Sequence, residues 1–420
     1  IDKVARFLGI ERDELRRRNL IGSHEFPYLI PSGTHYDSGD YAPVLHQAQA
    51  CAAWDELLRE RDRLRAQGIH AGVGISTCLE PSGGNSSFEP LFNPKNETTT
   101  WMDSCLIRVD LSGHITALMG TSSSGHAHET MVSTVVGEVL QRDPENIRVI
   151  HADSLNALPS NSPVGSRMAI MLGGAAAKAA KKIKAKLMQL AAHRLGCAPD
   201  DLVYENGQVS LRSDPKIHLS WDALVEIAHR KFHQLPEGMS PGLEEKFVIE
   251  VPSGGQLPTP DGRVQMYPCH SFETHLLLLS IDPDTFKVRI HRYVCGHDCG
   301  VMISPDVVHG MTFGGIAHGL GAALMEKFAY SPDGQLLAGT FMDYAMPRAD
   351  DLPSFRLGFN PTRCTTNPLG VKGCGEAGAI ASPAAVMNAV TDALGVKDVP
   401  MPATPHVVWK QLQSLKKAAE

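Results

Sequence analysis

The stretch GVKGCGEAGAIASPAAVMNAVTDAL, residues 370–394, decides how this chain is read. Four glycines, at 370, 373, 375 and 378, surround one carboxylate, Glu376. Glycine takes positive φ without a steric penalty and lets backbone approach a large ligand closely. An apolar helix is expected downstream, over about 383–394, with Pro383 near its first turn. Glu376 then lies on a tight loop that presents a single carboxylate just ahead of a helix N-terminus, as a positioned general base would be. A glycine-rich turn with a surface glutamate has the same pattern, so the residues alone leave both readings open.

Two further stretches have the same character. GTSSSGHAHET, residues 120–130, follows an expected strand and opens an expected helix of roughly 128–142. Small residues at a helix N-terminus expose backbone N–H groups that suit anionic cofactor groups. His126 and His128 also form an HxH pair of the kind zinc hydrolases use, although capping and loop packing account for it equally and no neighbouring cluster supplies further ligands. In VGSRMAIMLGGAAAKAA, residues 164–180, Gly165-Ser166-Arg167 precedes a long Ala/Lys helix expected over 168–195. Arg167 is placed either to pair a phosphate through its two parallel N–H groups or to satisfy backbone carbonyls.

Around these loops the chain reads as α+β, with helices packed on mixed sheets. A helix is expected over 45–67, with Ala48, Cys51, Ala52, Leu57, Leu58 and Leu64 roughly three and four apart and Gly68 as its stop. IHAGVGISTCLE (69–80) reads as a buried strand. The Ser-, Gly-, Asn- and Thr-rich residues 81–100 read as a long loop, and 152–166 as another. Strands are expected within 104–121, at 272–281 and at 287–295, and a Gly-rich helix at about 312–326. The Gly/Pro stretch 251–263 is a candidate boundary, and KAAKKIKAK within the long helix is a solvated face.

Composition bounds the function. With 43% apolar and 20% charged residues in 420, the chain can bury a large core. A formal charge of −7 argues against nucleic acid or an anionic membrane as partner, and no apolar run reaches the length of a membrane span. Nine scattered cysteines without a CxxC framework indicate reduced thiols in the cytoplasm and no iron–sulfur cluster on this chain. The opening residues, from Ile1, are charged and helical in pattern, which suggests a fragment or a processed chain rather than a secretory signal.

The three loops closely resemble those of the molybdenum hydroxylase family: xanthine dehydrogenase, aldehyde oxidase and aerobic carbon monoxide dehydrogenase, in their large, molybdopterin-binding subunit. The 370–394 segment is similar to the family's Gly-x-Gly-Glu loop, including Asn388 and Asp392. The resemblance implies that Glu376 is the catalytic base at a molybdenum centre, with Lys372, Gly373, Cys374 and Gly375 bound against the cofactor. It implies pterin contacts from Gly125, His126, Ala127, His128 and Thr130, and from Gly165, Ser166 and Arg167. His126 and Ala127 stand where the family usually has Gln and a second Gly, so the usual side-chain contact there is altered while the backbone contacts are retained. The segments 295–330, 339–353 and 36–41 (YDSGDY) also follow the family pattern, and Cys295 and Cys299 read as buried or loop cysteines.

The likeness spans nearly the whole chain and corresponds to the C-terminal half of the family's subunit. Residues 1–68 would close the first molybdopterin-binding domain with its connecting helix, and 69–420 would form the second. It implies molybdopterin, as the cytosine dinucleotide, holding molybdenum with no direct protein ligand. It further implies an iron–sulfur subunit with 2Fe–2S clusters, an FAD subunit, and the N-terminal half as partners. The activity implied is hydroxylation of an aldehyde, an N-heterocycle or a related small molecule with water as oxygen source. Carbon monoxide oxidation is the alternative within the family; a zinc hydrolase using His126 and His128, or a non-catalytic assembly subunit, are the alternatives outside it.

Overall fold

The computed structural model describes residues 1–84, 101–155, 158–161, 163–250 and 258–419. The expected loop at 81–100 therefore lies outside the described residues from 85 onward, as do the expected boundary stretch up to residue 257 and residues 156, 157 and 162 of the loop at 152–166.

In chain order the elements are α1 (Asp2–Leu8), α2 (Arg12–Arg17), β1 (Tyr28–Leu29), β2 (His35–Tyr36), α3 (Tyr41–Ala52), α4 (Trp54–Ala66) and β3 (His70–Ser82). Next come β4 (Met102–Val109), β5 (Ile115–Met119), α5 (His128–Leu140), β6 (Ile147–Ile150) and α6 (Met168–Leu195). They are followed by β7 (Leu202–Glu205), β8 (Gln208–Leu211), β9 (His218–Leu219), α7 (Trp221–Arg230) and β10 (Leu243–Glu250). The chain closes with β11 (Cys269–Ile281), β12 (Val288–Asp298), α8 (Pro305–Leu324), β13 (Phe355–Phe359), α9 (Ala377–Leu394) and α10 (Pro405–Ala419).

Two four-stranded mixed sheets carry the architecture. The first runs β13-β12-β11-β3, with only the β12–β13 pairing parallel. β11 is buried along all thirteen residues, its polar first half included. Helix α9 lies directly on β3 because Gly72 and Gly74 leave no side chain in the way: a Cβ at either would sit 2.0 Å from a carbonyl oxygen of Ala389 or Ala385. Asn388 Nδ2 donates to the Ile75 carbonyl at 2.9 Å, and Asp392 accepts the Val73 N–H at 2.8 Å. These two contacts give Asn388 and Asp392 a structural role. On the other face, Leu45 and Ala48 of α3 pack with Val73, Ile75, Leu276 and Leu278. The second sheet, β10-β4-β5-β6, is covered by α5 and α6, whose Val132, Val136, Leu172, Ala176 and Ile183 join Ile107, Ala117 and Met119 in one core. The lysines of α6 lie on its outer side, as expected of a solvated face.

The α+β expectation holds, and three boundaries differ. The helix expected over 45–67 is two helices, broken at Ala53, whose φ of 49° is left-handed. Helix α8 starts at Pro305, not near 312. Helix α9 starts at Ala377, which puts Pro383 inside it rather than in its first turn. Gly378 and Pro383 are poor helix formers, but packing overrides propensity here. α8 and α9 cross where a Cβ on Gly315 would meet Gly378 backbone at 3.0 Å and a Cβ on Gly319 would meet Pro383 Cδ at 2.9 Å. The Ser382 side chain, with the proline ring beside it, fills the notch that Gly319 leaves.

Candidate active site

Between the two sheets lies a cavity of about 570 Å³, within the usual range for a small-molecule or cofactor site. Its wall includes His126, Ala127 and His128; Gly165, Ser166 and Arg167; and Lys372, Gly373, Cys374, Gly375 and Glu376. The three loops singled out in the sequence thus converge. Two residues expected with them do not reach the wall: Gly125 and Thr130 are exposed beside the cavity.

Helix starts surround this space. α5 begins at His128, α6 at Met168, α8 at Pro305 and α9 at Ala377, and residues from the first turn or N-cap of each line the cavity. None of the four is capped by the side chain of its N-cap residue: Ala127, Arg167, Ser304 and Glu376 make no such bond. Four helix N-termini add positive potential at one place and leave backbone donors pointing at it, which favours a multiply anionic ligand.

Glu376 is the N-cap of α9, with φ −114° and ψ −11°. Its carbonyl accepts the Ala379 and Ile380 N–H groups, and its exposed carboxylate faces the cavity instead of capping its own helix. The loop before it is strapped at several points. Lys372 N–H donates to the Cys299 carbonyl at 2.9 Å, Gly373 N–H to Ser82 Oγ at 3.1 Å, and Glu376 N–H to Glu80 Oε1 at 3.2 Å. Gly373 is required: a Cβ there would stand 2.4 Å from the Ser166 carbonyl oxygen. Lys372 contributes backbone rather than charge. Its ammonium turns away into the core, donating to Asp298 at 2.9 Å, Thr362 at 2.8 Å and the Ser38 carbonyl at 3.2 Å.

Glu80 was not anticipated as part of the site. It is 1% exposed, at the end of β3, directly beneath the Glu376 amide. Burial raises its pKa to about 7, against the lowering pull of Ser166 and helped by the nearby Glu273 carboxylate. The signal in the sequence was a carboxylate at the end of a strand read as buried.

Arg167 is fully buried, and its guanidinium pairs with Asp103 of β4 while lying over the Trp101 ring at 5.4 Å. Burial lifts Asp103 to about 6 despite the arginine beside it, so the carboxylate is still ionised at neutral pH. The arginine's strongest contact is therefore inside the protein. Ser166, its neighbour, holds a left-handed φ of 46°, and its hydroxyl is buried without a partner in hydrogen-bonding geometry. Ala127 is also left-handed, at φ 55°. The residue that departs from the family's glycine thus occupies a backbone conformation that glycine takes more easily.

His126 and His128 stack at 5.2 Å with planes 12° apart, and burial lowers the His128 pKa. Among the described residues, the one grouping of three metal-ligating side chains lies elsewhere, at Glu273, His275 and Cys295. The zinc-hydrolase reading of the histidine pair therefore lacks its remaining ligands.

The fourth wall comes from α8, read in the sequence as a Gly-rich helix in a segment that follows the family pattern. Gly310 and Gly314 line the cavity, yet a Cβ at either would meet nothing among the described residues within 4 Å. Glycine inside a helix costs about 1 kcal/mol relative to alanine, and no protein contact requires it here. A ligand lying against this helix face would. Together with His128 Nδ1, which is buried without a hydrogen-bond partner among the described residues, these glycines fit a large cofactor with its own donors and acceptors.

Comparison with known proteins agrees with that geometry. Residues 47–353 match the molybdopterin cofactor-binding domain family; the match ends before the Glu376 loop. The chain is similar to the nicotine 6-hydroxylase large subunit of Paenarthrobacter nicotinovorans, 31% identical over 99% of this chain and 49% of the relative. Among solved structures it is similar to CO dehydrogenase from Oligotropha carboxidovorans, with a TM-score of 0.87 and 27% identity over 99% of this chain and 50% of that one. Quinoline 2-oxidoreductase from Pseudomonas putida 86 also has a TM-score of 0.87, with 29% identity over 98% and 50% of the two chains. The chain spans about half the length of the relatives it matches. Among the described residues, no helix is long and apolar enough to cross a membrane.

Proposed function

The chain belongs to the molybdopterin cofactor-binding domain family, and from that premise we propose that it forms the Glu376-bearing part of a molybdenum hydroxylase's molybdopterin-binding subunit. The observation that carries this is the convergence of four uncapped helix N-termini and the Glu376 loop on one cavity. A pterin nucleotide, here proposed as the cytosine dinucleotide, carries the phosphates such a place would hold. Residues 126–128, 165–167 and 372–375 would bind it, largely through backbone, and Gly310 and Gly314 would admit it against α8. When bound, the molybdenum cofactor supplies two-electron redox chemistry and the site of oxygen transfer.

The chain's own contribution is positioning and proton transfer. Glu376 receives a proton at its cavity-facing carboxylate. Glu80 holds the Glu376 amide from below and keeps the carboxylate aimed inward. Met131, Val301, Ile303 and Met311 give the cavity an apolar side that excludes water. Small electron-poor molecules suit it, and we take aromatic N-heterocycles as the first substrate class, since two of the relatives named above act on nicotine and on quinoline. Iron–sulfur and FAD subunits, and a chain supplying the N-terminal half, are the proposed partners. Nine free cysteines suit a reducing cytoplasm.

The test is Glu376→Gln in the assembled enzyme. Molybdenum and pterin content should stay at the wild-type level while turnover falls by about a hundred- to ten-thousand-fold. Turnover near the wild-type rate would refute the base assignment.

A further inference from the structure

The polar half of β11 holds a second constellation that the cavity does not use. Glu273 and His275 alternate on β11, and Cys295 and His297 alternate on β12. The register sets His275 opposite Cys295 and Glu273 opposite His297. Four metal-ligating side chains therefore form a two-by-two patch on one face of an antiparallel pair. Each is at most 1% exposed.

The donor atoms converge. His275 Nε2 lies 2.8 Å from Glu273 Oε2 and 3.5 Å from Cys295 Sγ, and the three donors lie within 4.8 Å of one another. His297 Nε2 lies 3.3 Å from Glu273 Oε1 but outside that group of three. Zinc bonds of about 2.0–2.3 Å in a tetrahedron place neighbouring donors roughly 3.3–3.6 Å apart, close to these separations. The Tyr293 hydroxyl, 2.8 Å from His275 Nδ1, fixes that ring so that Nε2 faces the cluster, the arrangement that commonly orients a metal-binding histidine.

A second observation is independent of the distances. His297 Nδ1 is buried without a hydrogen-bond partner, and Glu273 Oε1 and His297 Nε2, though 3.3 Å apart, are in hydrogen-bonding geometry with no group. Each such group costs about 1–3 kcal/mol if left unsatisfied. The same strand continues as Leu276–Leu279, so an apolar lining was available to it.

We propose that Glu273, His275 and Cys295 bind one zinc-like divalent metal ion as a structural site, with His297 beside the Glu273 carboxylate. One carboxylate and one thiolate neutralise a dication, which suits a place without solvent. An imidazole and a thiolate favour zinc over magnesium or calcium. Cys295 gives up its thiol proton to solvent as the metal is taken up during folding. These donors are buried and none lines the cavity, so the ion's role is to stiffen the sheet. Ser271, on the same face two residues along, touches Glu80 at 3.4 Å, and Glu80 supports the Glu376 amide. The ion thus braces the floor of the cavity.

The experiment counts metal in the purified chain after exhaustive washing with chelator. About one zinc per chain should remain and should be released on unfolding. Cys295→Ser and His275→Ala should each lower it at least about tenfold, whereas His126→Ala with His128→Ala should leave it unchanged. Should either cluster variant fail to fold, wild-type protein refolded with cobalt decides by itself, because a thiolate-to-cobalt charge-transfer band is expected. Washed wild-type protein without stoichiometric zinc and without that band would overturn the proposal, as would zinc retained undiminished in the folded Cys295→Ser and His275→Ala variants. Molybdenum content and turnover do not enter the readout, so this site and the proposed function stand or fall separately.

Discussion

Two loops of the same cavity are built on opposite plans. At 373–375 the backbone runs so close to 165–167 that a Cβ on Gly373 would stand 2.4 Å from the Ser166 carbonyl oxygen, and the loop is strapped to β3 and to the end of β12. At 125–127 the chain is open: Gly125 has nothing within 4 Å of a Cβ, His126 is exposed, and Ala127 takes a left-handed φ that glycine would take at less cost. The first loop is positioned by its own protein. The second completes its surroundings only with a ligand. A base must stand at a fixed place before substrate arrives, whereas a cofactor grip can close around what it holds.

This contrast can be broken most forcefully at Arg167. Its pairing with Asp103 marks it as part of the fixed side of the cavity. Arg167→Ala should leave a buried carboxylate unpaired and lower stability by about 3–5 kcal/mol, measured by urea denaturation. Unchanged stability with lost cofactor would instead make Arg167 a cofactor-holding residue and move it to the open side.

A smaller effect sharpens the contrast within the loop. Gly373→Ala forces a methyl group against Ser166 and Ser82, and should cost about 1–3 kcal/mol. Thermal unfolding would show it as a lowered Tm; a Tm equal to wild type would mean that the 373–375 loop is as open as the 125–127 loop.

What the sequence disclosed follows the same division. The three cavity loops were legible because each combines glycine or small residues with the start of a helix, a local pattern. The α+β class was legible from alternating periods. Long-range contacts were not. Lys372 reads as a cationic cofactor ligand until Asp298, 74 residues away, is seen to hold its ammonium. The start of α9 was read late because Gly378 and Pro383 argue locally against a helix, and only the glycines of α8 explain how they fit one. Gly310 and Gly314 were not singled out as site residues because a sequence does not show which face of a helix is empty. Glu80 and the Glu273–His275–Cys295–His297 patch lie in strands whose alternation shows which residues of one strand share a face but not which strands lie side by side.

The central claim is that the cavity between the sheets is where the cofactor lies, and Gly314 tests it most directly. Nothing among the described residues lies within 4 Å of a Cβ there, so Gly314→Leu should fold normally, with stability unchanged or raised by up to about 1 kcal/mol. The measurement is molybdenum and pterin per folded chain. The account predicts at least a tenfold loss of both with no fall in Tm, since the leucine side chain occupies the ligand's space; full cofactor content in the folded variant would contradict it.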